Sequence, residues 1–271
     1  MINVGIIGGS GYTGVQLMAL LLTHPEAKVA WITSRKFEGR AVHEAFGGLR
    51  GVTNLVFISF SPALLDEVDI VFTAVPHGQA MDIVAQIAGA GRRVIDLSAD
   101  FRFRDIRLYE RTYQKHLAPG LAEKAVYGLP ELFSDTIKDA EIIGNPGCYP
   151  TSAILAAAPV LKNNLHAPGS SLIVDSKSGV SGAGRGLNLT TLFCEVDEGL
   201  MPYKVLTHRH QPEIAAILQA TSEAVGDIYF TPHLVPMNRG IVSTVYLPLR
   251  KKVEKKDLQT LYETFYRDKP F

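Results

Sequence analysis

The apolar runs in the first half of the chain are short and nearly continuous, and they alternate with amphipathic runs of helical length. We expect strands over residues 2–7, 28–33, 68–75, 93–97 and 141–144 and helices over 14–22 and 78–90. Strands that are apolar without alternation are buried on both faces, as in a parallel sheet covered by helices on both sides. The pattern predicts an α/β domain of the Rossmann type over residues 1–147.

The second half of the chain has a different texture. β-branched runs occupy residues 171–176, 228–231, 233–236 and 240–247, and the helical run 212–224 is the main helix between them. Strands that are followed directly by strands favour a mixed or antiparallel sheet with helices on one face. We therefore expect an α+β domain over residues 148–271.

Composition narrows the class of protein. The 271 residues carry 27 Lys and Arg against 27 Asp and Glu, so the formal net charge is zero, and nothing indicates the basic surface of a nucleic-acid binder. No apolar run is long enough for a membrane span, and no signal peptide is visible at Met1. Two cysteines in unlike contexts do not suggest a disulfide framework. We expect a cytoplasmic protein.

A dinucleotide-binding signature follows the first predicted strand and precedes the first predicted helix, which is the context that makes this motif informative. The first glycine permits a tight turn, the second lets a pyrophosphate approach the backbone, and the third lets helix and strand pack closely. The N-terminus of the helix then holds the anion. The predicted cofactor-binding residues of the motif are Gly9, Ser10, Gly11, Tyr12, Thr13 and Gly14.

The ends of two further strands favour NADP as the cofactor and extend its site. NAD sites usually place an acid at the end of the second strand, whereas this strand ends in Ser34 and Arg35, which suit a 2′-phosphate. A solvated loop cation is the alternative for Arg35. Pro76 and His77 end another strand at the carboxyl edge of the sheet, where ligands bind. His77 is predicted to be a cofactor neighbour, with a helix cap as the alternative.

Cys148 is the strongest candidate for chemistry. It follows Asn145-Pro-Gly and opens a helical run, so its thiol lies among unpaired N–H groups at the positive end of a helix dipole. Both features favour the thiolate, which is the nucleophilic form. A buried structural cysteine is the alternative, and that is the role we expect for Cys194 with its apolar neighbours.

Two histidines stand where another helix begins. His208 and His210 can take and return a proton near neutral pH, and a histidine beside a cysteine is an established way to activate a thiol. Glu213 is expected to compensate the helix dipole, with orientation of a histidine as the alternative. His-x-His could also be half a metal site, but the sequence offers no cluster that completes one, and we predict no metal.

Glycines and arginines suggest further ligand contacts. The loop 178–185 is dense in glycine, so Ser178, Gly179 and Gly182 can bring backbone donors close to a ligand, and the loop ends in Arg185. A flexible hairpin connection is the alternative. Arg102 follows a strand end and can clamp a phosphate with two hydrogen bonds.

With these residues assembled, the chain resembles the N-acetyl-γ-glutamyl-phosphate reductase family, relatives of aspartate-semialdehyde dehydrogenase. The resemblance implies reduction of N-acetyl-glutamyl phosphate by NADPH in arginine biosynthesis, with Cys148 as nucleophile and His208 or His210 as acid/base. It also implies that Arg102, Asn145 and Arg185 contact the acyl phosphate and that the chain forms a homo-oligomer, a dimer or tetramer. The matching motifs run in family order along the chain and comprise residues 8–14, 74–78, 97–102, 127–131, 144–151, 178–185, 208–210 and 233–236.

Two alternatives stay open at this point. The substrate could be a different acyl phosphate, such as aspartyl phosphate, or the chain could bind nucleotide without catalysing a reaction. The second possibility arises because family members continue beyond the position of Phe271 with a segment that returns to the first domain. We expect NADPH to bind weakly without that segment.

Overall fold

The computed structural model describes residues 1–222 and 225–271 and divides the chain into two compact units. The first unit contains residues 1–128 and 135–146, and the second contains 129–134 and 147–271. The last segment of the first unit ends at Pro146, and the long segment of the second unit begins at Gly147.

A wholly parallel sheet of seven strands forms the first unit. Its strands are β1 (Ile2–Ile7), β2 (Ala27–Thr33), β3 (Phe57–Ile58), β4 (Ile70–Thr73), β5 (Arg93–Asp96), β6 (Val126–Tyr127) and β7 (Ile142–Gly144). Their order in the sheet is β3-β2-β1-β4-β5-β7-β6. The strand order therefore reverses between β1 and β4, which is where dinucleotides bind in doubly wound folds.

Helices cover both faces of this sheet, as the continuous apolar strands predicted. Ile6 and Ile32 pack with Met18 on one face, whereas Ile7 and Trp31 belong to the core of the other face. The predicted helix 78–90 begins later, at Met81, because the preceding residues form a turn. The helices are α1 (Tyr12–Leu22), α2 (Val42–Ala45), α3 (Met81–Gly89), α4 (Ile106–Thr112), α5 (Pro119–Ala122) and α6 (Pro130–Lys138), the last of which extends across the division.

The second unit contains a mixed sheet of four strands in the order β11-β8-β10-β9. The parallel pair is β8 with β10, and the other two pairs are antiparallel. The two predicted strands 228–231 and 233–236 are one strand that continues through Pro232, which corrects the sequence prediction. The strands are β8 (Leu172–Ser178), β9 (Met201–Pro202), β10 (Ile228–Leu234) and β11 (Ile241–Tyr246).

Helices pack on one face of the second sheet. The helices of this unit are α7 (Cys148–Lys162), α8 (Phe193–Val196), α9 (His210–Thr221) and α10 (Lys255–Tyr266). Helix α7 contacts β11, and α9 contacts β10. Residues 223 and 224 of the predicted helix 212–224 lie outside the described residues. The arrangement of helices over one sheet face is the α+β architecture that the sequence predicted. None of the described helices combines the length and apolarity needed to cross a membrane.

Candidate active site

The glycine-rich turn of the first unit has the geometry that the motif predicts. A Cβ atom on Gly14 would lie 2.5 Å from the Cα atom of Gly9, so only glycine permits this contact between helix and strand. A Cβ atom on Gly11 would meet nothing within 4 Å, so the backbone there is open to a ligand. Tyr12 and Thr13 are exposed at the start of α1, whose first turn carries no acidic residue. This N-terminus is therefore suited to an anion.

Two residues at the end of β2, Ser34 and Arg35, were both predicted to suit the 2′-phosphate, but the structure places them differently. Ser34 is buried, and its hydroxyl donates to the Ser10 hydroxyl at 2.8 Å, so it ties the strand end to the glycine-rich turn. Arg35 and Lys36 are exposed, and the Lys36 ammonium lies 5.5 Å from the centre of the Phe37 ring. Lys36 was missed, although its position beside Arg35 was a signal. The exposed cations suit the 2′-phosphate of NADP.

His77 is part of the turn after β4. Its Nδ1 accepts a hydrogen bond from the Ala99 backbone N–H at 2.9 Å, and its ring packs on Tyr113 with centroids 5.5 Å apart. The N-cap position of α3 is occupied by Ala80, three residues farther along the chain. The helix-cap alternative for His77 is therefore wrong. Pro76, the other predicted cofactor neighbour here, is exposed.

Arg102 braces the segment that leads to the candidate nucleophile. Its Nε donates to the Asn145 carbonyl at 2.7 Å, and its Nη2 donates to the Leu97 carbonyl at 3.0 Å. The Asn145 backbone N–H is also held, by the Asp96 carbonyl at 2.8 Å. Arg102 is only 8% exposed, so holding the backbone before Cys148 is a second role for the residue that we predicted to bind phosphate.

Cys148 is the first residue of α7 and is exposed. The first turn of this helix has no acidic residue, and its N-cap, Gly147, offers no side-chain acceptor to the free N–H groups. The exposed thiol argues against the buried structural cysteine. Cys194 is exposed as well, on the short helix α8, so the expectation that it packs among apolar neighbours is wrong.

Glu213 positions the residue before the thiol. It is 1% exposed, and its Oε1 accepts a hydrogen bond from the Gly147 backbone N–H at 2.8 Å. A buried carboxylate bonded to an amide does more than compensate a helix dipole, so the expected role of Glu213 is corrected. Its place just after the two histidines was the one sequence signal, because the contact joins segments far apart in the chain.

An aromatic cluster brings the two histidines beside the residue that follows Cys148. The His208 ring meets the rings of Tyr149 and Tyr203 edge-on, with centroids 5.6 and 5.5 Å apart. His210 lies 4.8 Å from His208 and 5.8 Å from Tyr149 between ring centroids. The hydroxyls of Tyr149 and Tyr203 are 2.9 Å apart. Tyr203 was missed, since nothing in the sequence around it indicates this contact.

The two histidines differ electrostatically. Burial, with smaller contributions from Lys204 and Arg209, lowers the pKa of His208 to about 4. Its Nδ1 accepts a hydrogen bond from the His210 backbone N–H at 3.1 Å. A neutral imidazole with an accepting Nδ1 carries its hydrogen on Nε2. His208 is therefore neutral near pH 7 and fixed in one tautomer.

The glycine-dense loop begins beside the same cluster. Ser178 ends β8, is buried, and its hydroxyl bonds both to the Tyr149 side chain and to the Gly179 carbonyl. A Cβ atom on Gly179 would lie 2.8 Å from the Asn238 carbonyl oxygen, so the backbones pack closely there. Gly182 and Arg185 are exposed farther along the loop. The loop thus starts from a fixed point next to the aromatic cluster.

Comparison with known proteins agrees with this geometry. Residues 3–140 match the family model of the semialdehyde dehydrogenase NAD binding domain, and 148–271 match that of the semialdehyde dehydrogenase dimerisation domain. An N-acetyl-gamma-glutamyl-phosphate reductase from Syntrophobacter fumaroxidans is 50% identical over 272 residues, which cover 100% of this chain and 79% of the relative. The chain belongs to the N-acetyl-gamma-glutamyl-phosphate reductase family.

Other members of the family, and solved structures of related folds, extend the comparison. The reductase from Desulfotalea psychrophila is 48% identical, again over 100% of this chain and 79% of the relative. Aspartate semialdehyde dehydrogenase II from Vibrio cholerae has a TM-score of 0.72 at 17% identity and covers 97% of this chain and 79% of its own. The Candida albicans aspartate semialdehyde dehydrogenase, solved with NADP, has a TM-score of 0.72 at 15% identity, with coverages of 96% and 76%. At these identities the solved structures establish the fold.

Proposed function

We propose that the chain reduces N-acetyl-L-glutamyl 5-phosphate to N-acetyl-L-glutamate 5-semialdehyde and phosphate with NADPH, a step of arginine biosynthesis. The observation that carries the proposal is the exposed Cys148 thiol on the first residue of α7, after an amide that Glu213 holds. The aromatic cluster with His208 and His210 lies beside the next residue, Tyr149.

The residues of the first unit fit NADP. Gly9, Gly11 and Gly14 form the turn for the pyrophosphate, and the open backbone at Gly11 supports this contact. Arg35, with Lys36, is exposed for the 2′-phosphate. When bound, NADPH supplies the hydride. Pro76 and His77 follow β4, on the side of the reversal point opposite to β2, and are assigned to the nicotinamide half.

Cys148 begins the reaction as the nucleophile. Its sulfur attacks the carbonyl carbon, the new C–S bond replaces the bond to the phosphate oxygen, and phosphate leaves with the electron pair. Backbone N–H groups at the start of α7 can stabilise the oxyanion that forms, and a well-placed donor contributes roughly 3 kcal/mol. Once hydride has been added to the thioester carbon, the resulting oxyanion takes a proton from the acid/base histidine. The hydroxyl proton returns to that histidine as the C–S bond breaks, so the semialdehyde and the Cys148 thiolate are released.

We assign the proton transfers to His210 and a positioning role to His208. The Nδ1 of His208 already accepts the His210 N–H, and the pKa of His208 near 4 leaves little protonated form at pH 7. A general acid works best when its pKa lies near the working pH. The His210 ring contacts both His208 and Tyr149, so we assign the proton transfers to it.

The substrate contacts complete the proposal. Arg102, Asn145 and Arg185 are assigned to the acyl phosphate, Arg102 partly through its hold on the Asn145 carbonyl. Ser178, Gly179 and Gly182 are assigned to the cofactor, as the family resemblance implies. These assignments rest on chemistry and on order along the chain.

We also assign a homodimer to the open face of the second sheet and place the protein in the cytoplasm. Residues 148–271 match a dimerisation domain. Tyr229, Ile173 and Tyr246 form a row across β10, β8 and β11 in register, and each is exposed. An apolar row on a sheet face without covering helices is typical of an interface. The cytoplasmic assignment is supported by two free cysteines.

The reaction is tested most simply in reverse. The purified chain, NADP⁺ and phosphate are mixed with N-acetylglutamate semialdehyde or with aspartate semialdehyde, and NADPH formation is followed by absorbance. We expect NADPH with the first substrate and much less with the second. Preference for aspartate semialdehyde would overturn the substrate assignment, and no NADPH with either would overturn the catalytic function.

A further inference from the structure

A buried carboxylate outside the reacting groups holds a turn of the first unit. Asp100 follows β5 and is completely buried. Its Oδ1 and Oδ2 both accept the Gly78 backbone N–H, at 2.8 and 2.9 Å, and Oδ2 also accepts the Ala80 N–H at 3.1 Å. The Tyr109 hydroxyl donates to Oδ1 at 2.8 Å. One side chain thus collects three donors, two of which belong to the turn before α3.

A second hydrogen bond joins the same two turns in the opposite direction. The Ala99 N–H donates to His77 Nδ1, so each turn accepts from the backbone of the other. Asp100 is held in its turn by His116, whose Nε2 donates to the Asp100 carbonyl at 2.8 Å. The Nδ1 of His116 accepts the Ala118 N–H at 3.0 Å, which places the ring hydrogen on Nε2. The turn 76–78 is therefore fixed from both sides.

The conformation that these bonds fix is one that the chain would not adopt by default. Gly78 has a φ of +82°, in the left-handed region. The segment has no regular secondary structure to hold it, since α3 begins only at Met81. A buried carboxylate is costly unless its oxygens are bonded, and the hydrogen bonds from Gly78, Ala80 and Tyr109 meet that condition for Asp100.

The position of the turn 76–78 in the sheet indicates which part of the cofactor it adjoins. A Cβ atom on Gly8 would lie 2.6 Å from the Ala74 carbonyl oxygen, so the ends of β1 and β4 adjoin. If the pyrophosphate lies at α1 and the 2′-phosphate near Arg35 after β2, the nicotinamide half extends over β4 and its turn. The turn then lies beside the part of the cofactor that reacts.

We propose that Asp100 is a positioning residue for hydride transfer: it fixes the turn of Pro76, His77 and Gly78 against the nicotinamide ring. This inference rests on the proposed function, because it assumes that NADPH binds at the glycine-rich turn and reacts there. Asp100 itself is completely buried, so we assign it no contact with substrate or cofactor. It acts through the two backbone N–H groups that its carboxylate holds.

The test compares Asp100→Asn with Tyr109→Phe. Asparagine keeps one acceptor oxygen but replaces the other with an NH2 group. The Gly78 N–H contacts both carboxylate oxygens, so in either orientation this NH2 group faces another donor and disturbs the turn. Tyr109→Phe removes a hydrogen bond from the same carboxylate but leaves both turn contacts in place. We measure kcat, the KM and Kd for NADPH, the melting temperature, and the isotope effect with NADPH deuterated at the transferred position.

The expected pattern separates positioning from general destabilisation. In Asp100→Asn, kcat falls at least about tenfold and the isotope effect rises, whereas the Kd for NADPH increases less than about threefold because pyrophosphate and adenosine contacts are untouched. Tyr109→Phe lowers the melting temperature but leaves kcat and the isotope effect unchanged. Equal losses of kcat in the two variants, or a wild-type kcat and isotope effect in Asp100→Asn, would overturn the proposal.

A second variant covers the case in which Asp100→Asn does not fold. Gly78→Ala disturbs the same turn, because its new Cβ would lie 2.5 Å from the Gln114 side chain and the φ of +82° disfavours any residue with a side chain. We expect the same fall in kcat and rise in isotope effect; wild-type values would refute the role of the turn. If the wild-type chain binds NADPH but reduces neither acyl phosphate, the proposed function has failed and the positioning role fails with it. Normal turnover by wild type together with wild-type kcat and isotope effect in both variants refutes the positioning role alone.

Discussion

The glycine-rich turn of the first unit and the aromatic cluster of the second are built in opposite ways. The turn consists of backbone from one short segment, and the close contact that requires Gly14 is with Gly9 of the same segment. The cluster consists of side chains from three segments of the chain. The hydrogen bond beside it, between Gly147 and Glu213, joins residues 66 positions apart. A cofactor site of the first kind can be recognised from consecutive letters, whereas a catalytic site of the second kind depends on the fold.

The nucleophile is where the largest effect is expected. Cys148→Ser removes the thiol from the start of α7, and the less nucleophilic hydroxyl should reduce turnover by at least about 10³-fold. NADPH affinity should change little because Cys148 is not one of the residues that we assign to the cofactor. Steady-state kinetics and NADPH fluorescence titration measure the two quantities.

Cys194→Ser is the matched control, because Cys194 is equally a free and exposed thiol. It should leave kcat within about twofold of wild type, since only the thiol at the start of α7 is placed to react. Near-normal turnover in Cys148→Ser would contradict the mechanism.

The two histidines provide the next comparison, inside the cluster itself. His210→Asn should lower kcat by roughly 10²–10⁴-fold and remove a limb of the pH–rate profile, because a general acid/base is lost. His208→Asn should cost less and keep the profile, since an asparagine oxygen can accept the His210 N–H in place of Nδ1. The reverse order of the two losses would exchange the roles of the two histidines.

In the first unit, the preference for NADPH over NADH is tested at the end of β2. Arg35→Ala should weaken NADPH binding by roughly 10- to 100-fold, the range expected for hydrogen bonds to a charged group, and leave NADH almost unaffected. Lys36→Ala, at the neighbouring exposed cation, should show a smaller effect of the same kind. Equal losses for NADPH and NADH would mean that neither side chain recognises the 2′-phosphate.

The smallest expected effect is the contribution of His208 to the pH dependence of the unfolding free energy. The pKa of His208 is lowered to about 4, so the folded chain disfavours the protonated ring. An unfolded histidine binds its proton from about pH 6.5 downward, so the contribution of His208 is complete above that value and is lost as the pH falls toward 4. Between pH 7 and 5, wild type should lose about 1 kcal/mol more unfolding free energy than His208→Gln, after allowance for partial exposure. Parallel denaturation curves would contradict the lowered pKa.

Some strands and site residues could be predicted from the sequence and others could not, and the reasons are physical. The longer strands were predicted because continuous apolar runs report burial on both faces, but the two-residue strands β3 and β6 are too short to form a pattern. Cys148 was found through its helix start, which is local. The contacts of Glu213 and Tyr203 were missed because their partners, Gly147 and Tyr149, are brought to them only by packing of the second unit.

The covalent step is the central claim, and trapping it is the most direct test. The chain is mixed with N-acetyl-glutamyl phosphate in the absence of NADPH, quenched in acid, digested and analysed by mass spectrometry, while released phosphate is measured. We predict one phosphate per active site and an N-acetylglutamyl group on the peptide that contains Cys148, removable by hydroxylamine and absent in Cys148→Ser. An adduct on Cys194, or turnover by wild type with no acylated Cys148, would contradict the account.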